Sequence, residues 1–191
     1  MSLFTIILLA IAAVAAIFAT MTYNSLVTVK HNVSKAWANI DVLLKQRHDE
    51  IPKLVEICKQ YRQFEQDTLQ KVIEARSKVF NASQSHNMGD LGKAETQLRG
   101  SLANLFAVAE AYPDLKTNEQ FLNLQTRISS LENAIADRRE FYNDSVNINN
   151  VRIEQFPDAL IANLFDFPPR HLLEFSVDEK TDVDVKKLFA A

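Results

Sequence analysis

The chain has 191 residues, a net charge of -3, 3 Gly, 5 Pro and a single cysteine. One cysteine excludes an internal disulfide, and a slightly acidic balance leaves no general basic field for nucleic acid. So little turn chemistry, with long runs rich in Ala, Leu, Glu, Lys and Gln, points away from sheets and toward an all-α protein.

The first element is apolar. Leu3–Met21 carries no charge and runs through Leu3, Phe4, Ile7, Leu8, Ile11, Val14, Ile17 and Phe18. At about 1.5 Å of rise per residue, such a helix covers close to the ~30 Å hydrocarbon core of a bilayer. A cleaved secretory signal would carry Lys or Arg before the run and a small-x-small site after it. Only Met1 and Ser2 precede the run, Phe18 stands where a small residue is needed, and no cysteine follows for lipid attachment. Residues 1–22 therefore read as a permanent single-pass anchor in the plasma (inner) membrane, with the lipid bilayer as first partner. Lys30 and Lys35 follow the span and no Lys or Arg precedes it, so the positive-inside rule places the remainder in the cytoplasm. Ala12-x-x-x-Ala16 and Ala15-x-x-x-Ala19 space small residues as close helix approach requires.

Tyr23 suits the membrane interface. Leu26, Val29, Val33, Ala36, Trp37, Ile40 and Leu44 then recur at three- and four-residue steps to about Arg47, one face of an amphipathic helix. No breaker separates this face from the span, so anchor and first helix read as one rod. Asp49, Glu50 and Pro52 predict a reversal and a second helix start. That helix extends to about Phe80 on a stripe of Ile51, Leu54, Val55, Cys58, Tyr61, Leu69, Val72 and Val79, with Glu65 on or beside it.

Asn81–Asp90 is polar and helix-poor, and reads as the longest internal loop. A third helix from about Leu91 turns Ala94, Leu98, Leu102, Leu105, Ala109 and Tyr112 inward until Pro113 ends it, with close helix packing expected at Gly100. Thr117 and Gln120 resemble a capping box. The fourth helix carries Phe121, Leu124, Ile128, Leu131 and Ile135, then turns polar at Arg138, Tyr142, Asn143 and Asn149. Arg138, Tyr142 and Asn143, with Glu65, form a candidate buried polar cluster. Pro157 opens a short amphipathic segment, Ala159 to Phe165, which completes a helical region of residues 23–167. These four helices predict an antiparallel bundle continuous with the anchor. Residues 168–191 read as an extended tail, with Leu172 to Val177 folding back on the helices.

A search for chemistry finds no site. The residues three before His31, His48, His86 and His171 are Thr28, Lys45, Ser83 and Pro168, so the Glu-x-x-His pairs of a di-iron bundle are absent. There is no His-Glu-x-x-His, no Cys-x-x-Cys and no Gly-x-Gly-x-x-Gly. Cys58 lies mid-stripe as a core thiol. No catalytic, cofactor-binding or metal-binding residue, cofactor or small-molecule substrate is assigned.

Several segments match a known family in order along the chain. Tyr23-Asn24-Ser25-Leu26-Val27, Ala36-Trp37-Ala38-Asn39-Ile40-Asp41-Val42-Leu43-Leu44 and Arg47-His48-Asp49-Glu50-Ile51-Pro52-Lys53-Leu54-Val55-Glu56 resemble the LemA family. So do Ala75-Arg76, Ala109-Glu110-Ala111-Tyr112-Pro113-Asp114-Leu115-Lys116, Arg139-Glu140-Phe141-Tyr142-Asn143-Asp144 and Glu154-Gln155-Phe156-Pro157. The resemblance implies an N-terminal transmembrane helix and a four-helix bundle of bromodomain-like topology, and carries over no catalytic residues. Some members place a lipid-attached cysteine ahead of Tyr-Asn, where Thr22 stands here. The resulting expectation is a bacterial membrane-anchored scaffold that binds a protein partner or copies of itself. The alternative is a lipid- or peptide-binding module using Arg138, Tyr142 and Asn143.

Overall fold

A computed structural model describes residues 2–61 and 64–174. The described residues are all-α: α1 Leu3–Lys59, α2 Gln66–Gln84, α3 Met88–Ala109, α4 Pro113–Lys116, α5 Glu119–Glu154 and α6 Asp158–Leu164. They fall into two compact units. The first joins α1 up to Ile40 with Asp137–Leu172; the second joins Asp41–Ala136 with the segment that begins at Leu173.

In the first unit α1 and α5 run antiparallel. Trp37 meets Tyr142 at 5.8 Å between ring centroids, and twelve residues back along α1, Ser25 accepts from Arg152 Nη2 at 3.0 Å. Leu26, Val33, Ala36 and Ile40 of the predicted face are buried, as are Tyr142 and Val146 of α5, and α1 passes from Met21 to Lys30 without a break. Full burial of each large aliphatic side chain contributes about 1.5–3 kcal/mol. Asp166, at a left-handed φ of 53°, closes α6 in a turn in which Phe167 N–H donates to the Ala162 carbonyl at 3.0 Å. The chain then runs back along α5, where the Asn150 amide accepts from Arg170 N–H at 2.8 Å and donates to its carbonyl at 2.9 Å.

In the second unit α1 departs from the expected reversal at Pro52, which lies inside the helix. A proline there removes an N–H and strands the carbonyl four residues earlier. That carbonyl, on His48, accepts instead from Arg76 Nε of α2 at 2.8 Å, so the helix continues to Lys59. Glu50, expected in a first turn, is buried in mid-helix and accepts from Arg127 Nη2 of α5 at 2.7 Å.

The predicted Asn81–Asp90 loop is also shorter. His86 takes a left-handed φ of 52° and Asn87 caps α3 by accepting from Asp90 N–H at 3.1 Å, so only residues 85–87 lie outside helix. The cap of α5 is displaced by one residue from the Thr117 box: Asn118 Oδ1 accepts from Phe121 N–H at 3.1 Å. Thr117 turns back to donate to the Pro113 carbonyl.

Gly100 is exposed, with nothing within 4 Å of where a Cβ would stand, so close packing does not explain it. The close approach is at Gly92, where a Cβ would lie 2.1 Å from the Glu174 carbonyl oxygen. Leu173 beside it is buried at 1% exposure, so the chain at Leu173 and Glu174 lies against the start of α3. The remainder of the predicted fold-back, through Val177, and the rest of the tail lie outside the described residues.

Candidate membrane anchor and buried polar clusters

Leu3, Phe4, Ile7, Leu8, Ile11, Val14, Ile17 and Phe18 all stand exposed along the first turns of α1, from 48% at Phe18 to 76% at Leu3. No residue of this apolar window is buried by protein, and among the described residues it gives one helix long and apolar enough to cross a membrane. A soluble core helix would hide these side chains. The polar groups within the stretch are spent locally: Thr5 donates its hydroxyl to the Ser2 carbonyl at 2.7 Å and Thr20 to the Ala16 carbonyl at 2.8 Å. Such back-bonding satisfies a hydroxyl where water is excluded.

The residues proposed as one polar cluster are divided. Glu65 belongs to the second unit, is exposed at the start of α2 and accepts from Thr68 Oγ1 at 3.1 Å. Arg138, Tyr142 and Asn143 belong to the first unit. Arg138 is exposed, Asn143 half-buried and Tyr142 buried, its hydroxyl donating to the His171 carbonyl at 3.0 Å. Burial holds the Tyr142 hydroxyl above its ordinary pKa. The buried guanidinium of this helix is Arg139, which takes the stripe position four residues after Ile135.

Sequence reasoning missed a charged cluster in the second unit. Arg47 of α1 and Glu95 of α3 form a buried ion pair, their side chains 3% and 7% exposed. Glu132 of α5 joins them: burial raises its carboxyl pKa, Arg47 and then Arg99 pull it down, and Glu95 raises it. Periodicity holds the signal. Arg47 falls between Leu44 and Ile51 on the apolar stripe, and Glu95 between Leu91 and Leu98, so each charge sits where the pattern demands a core residue.

His48 and Arg76 form a second cluster in this unit. Arg76 Nη2 lies 2.6 Å from His48 Nε2, and the imidazole stacks on Phe80 at 4.8 Å. Burial first and the Arg76 charge second lower the His48 pKa, against a smaller upward pull from Asp49. The neutral ring therefore accepts from Arg76, and its Nε2 lone pair is occupied rather than available as a base. A cavity of about 350 Å³ beside it is lined by Asp41, Lys45, Asp49 and Gln84. Cys58 is fully buried and its thiol is pushed up to about 12, which makes it unreactive. Among the described residues no group of three or more His, Cys, Asp or Glu side chains is placed to hold a metal ion.

These features define an all-helical, membrane-associated protein with one N-terminal helix fit to span a bilayer. The model of the LemA family matches residues 36–186, and the chain belongs to that family. It is 28% identical to Protein LemA of Metamycoplasma hominis over 86% of this chain and 74% of the relative. It is also 22% identical to Magnetosome protein MamQ 2 of Paramagnetospirillum magneticum, over 96% and 77% respectively. Against Magnetosome protein MamQ of Magnetospirillum gryphiswaldense the identity is 22%, over 77% of this chain and 62% of that protein.

Proposed function

We propose that the chain is a single-pass membrane-anchored scaffold of the bacterial cell envelope, which binds a protein partner or copies of itself and performs no catalysis. The observation that carries this reading is the helix α1, whose apolar turns from Leu3 onward are exposed while its continuation from Leu26 to Ile40 supplies the core of the first unit. Two further features support association. Phe141, Ile148 and Val151 leave an apolar stripe on α5 at 50–56% exposure, and the alanine spacings of the span remain open to a second helix. In the second unit, four helical segments from α1, α2, α3 and α5 are tied by the Arg47–Glu95, Arg76–His48 and Arg127–Glu50 contacts, which supports a four-helix bundle there. The Lys30 and Lys35 bias supports an inner membrane location with these units in the cytoplasm.

Disulfide cross-linking of Phe141→Cys and Ile148→Cys variants in native membranes tests association, with linked copies expected. A strictly monomeric protein without cross-linked species, in membranes and in mild detergent, would remove the self-assembling form of the reading. Protease access in spheroplasts against inverted vesicles tests sidedness.

One observation favours a second reading, a lipid- or peptide-binding module. A groove of about 520 Å³ in the first unit sets Lys35 and Arg138 beside the exposed Phe141 and Ile148, cations flanking apolar surface. Native mass spectrometry of the wild type and of Arg138→Ala separates the two readings, since a bound ligand should be retained by the first and lost by the second.

A further inference from the structure

The first unit carries a second apolar surface, at the level where α1 leaves the apolar span. Phe156, Leu160, Leu164 and Phe165 are 80%, 63%, 74% and 54% exposed. Phe156 lies in the turn before α6, Leu160 and Leu164 on the helix, and Phe165 at its C-cap. Leu160 and Leu164 are one helical turn apart, whereas Ala162, on the opposite face, is buried. A soluble surface seldom leaves four large apolar side chains together without an occupant.

Two contacts fix the height of this surface along α1. Phe165 packs on Tyr23 at 4.8 Å between ring centroids, and Tyr23 stands two residues after Met21. Arg152 bonds Ser25, and because α5 runs antiparallel to α1, the chain beyond Arg152 heads toward the span. Glu154, the last residue of α5, therefore comes about 3 Å nearer to it at helical rise, and Phe156 lies in the turn just beyond. Phe167 lies a little higher, 5.8 Å from the Tyr23 ring and beneath Lys30, whose Nζ is 5.9 Å from its centroid.

Positive charge is not concentrated in the patch, and the exposed charges that flank it in sequence, Glu154 and Asp166, are acidic. Arg152 Nε pairs with Asp158 Oδ2 at 2.6 Å, and α6 itself contains no Lys or Arg. Attraction to anionic headgroups is thus not the driving force. The surface has the composition of a short interfacial element that places aliphatic and aromatic side chains at the boundary between headgroups and acyl chains.

We propose that α6 and the residues that flank it are a second membrane contact, in which Phe156, Leu160, Leu164 and Phe165 insert into the lipid surface beside the emerging α1 helix. This inference rests on the reading of Leu3–Met21 as a bilayer span. Insertion would add a second point of attachment and orient the first unit about the axis of α1.

The test uses the full chain, reconstituted at one copy per phosphatidylcholine nanodisc, with an environment-sensitive fluorophore on single cysteines in a Cys58→Ala background. Labels at Leu160→Cys and Leu164→Cys are expected to emit to the blue and to be quenched by lipids carrying a shallow nitroxide. A label at Ile11→Cys is expected to be quenched by a deep one. A label at Leu172→Cys, an exposed leucine of the same unit beside the Tyr142 level, is expected to remain in water. Aqueous α6 labels with a lipid-buried Ile11 label would overturn this inference and leave the anchor intact. An aqueous Ile11 label would overturn the anchor itself. Blue emission that appears only when two copies share a disc would assign the patch to a second chain and overturn the lipid contact. Matching circular dichroism spectra establish that the labelled variants are folded.

Discussion

Arg76 of α2 donates through Nε to the carbonyl of His48, four residues before Pro52 in α1, at 2.8 Å. This side chain takes the place of the backbone N–H that proline lacks. Arg76→Ala should therefore strand a carbonyl inside the second unit and cost about 1–3 kcal/mol. Arg76→Lys should recover part of that, since one ammonium cannot reach both the carbonyl and the imidazole as a guanidinium does. Urea denaturation of the full chain in detergent measures both.

The same arginine sets a pH dependence. The folded-state pKa of His48 is lowered below 6.5 by burial and by Arg76. A group depressed in this way stabilises the fold above its unfolded pKa, and that stability is lost as pH falls through the folded value. The second unit should thus weaken as pH drops from about 6.5, because an imidazolium would face the Arg76 guanidinium. Glu132, whose pKa is raised, acts in the opposite direction: its contribution is present at low pH and is lost as pH rises through its folded value. Comparison of denaturation midpoints of the wild type and His48→Gln from pH 7.5 down to about pH 5 isolates the histidine. The variant should lose less stability over that interval.

Two glycines of α3 should respond oppositely to alanine. Gly100→Ala adds a methyl in open space within an exposed helix and should stabilise by about 1 kcal/mol. Gly92→Ala sets a Cβ against the Glu174 carbonyl and should destabilise, with increased proteolysis near Leu173 as that segment is displaced. Thermal melts of the two variants under one condition provide the comparison.

The buried Arg47–Glu95 pair predicts strong non-additivity. Removing one partner, as in Glu95→Leu or Arg47→Met, should cost about 3–5 kcal/mol because an uncompensated charge remains in the core. The double variant Arg47→Met with Glu95→Leu should recover most of that loss. A double-mutant cycle measured by denaturation reads the coupling directly.

Helical periodicity made most of the core legible. Leu26, Ile40, Leu54, Leu98, Leu105 and Ile128 are buried where three- and four-residue spacing places them. Helix boundaries were less legible, because neighbouring cap candidates such as Thr117 and Asn118 compete locally and one deciding residue lies far off in sequence. Pro52 is a stop signal by local rules, and only Arg76 from another helix silences it. Polar residues were the hardest. Arg138 falls on the polar end of the stripe by spacing, whereas the buried arginine is its neighbour Arg139, and a shift of one position moves a side chain by about a quarter turn. Arg47 and Glu95 were hidden by the assumption that charge marks a solvated face.

The Asn150 amide bonds both backbone groups of Arg170, and Tyr142 takes the next carbonyl, that of His171. An extended segment with open N–H and C=O groups is a template on which another chain can add a strand. Here side chains of a helix close that edge before any strand can reach it. A strand arriving from outside finds the Arg170 N–H and carbonyl and the His171 carbonyl already engaged, which leaves this segment a poor seed for sheet-like aggregation.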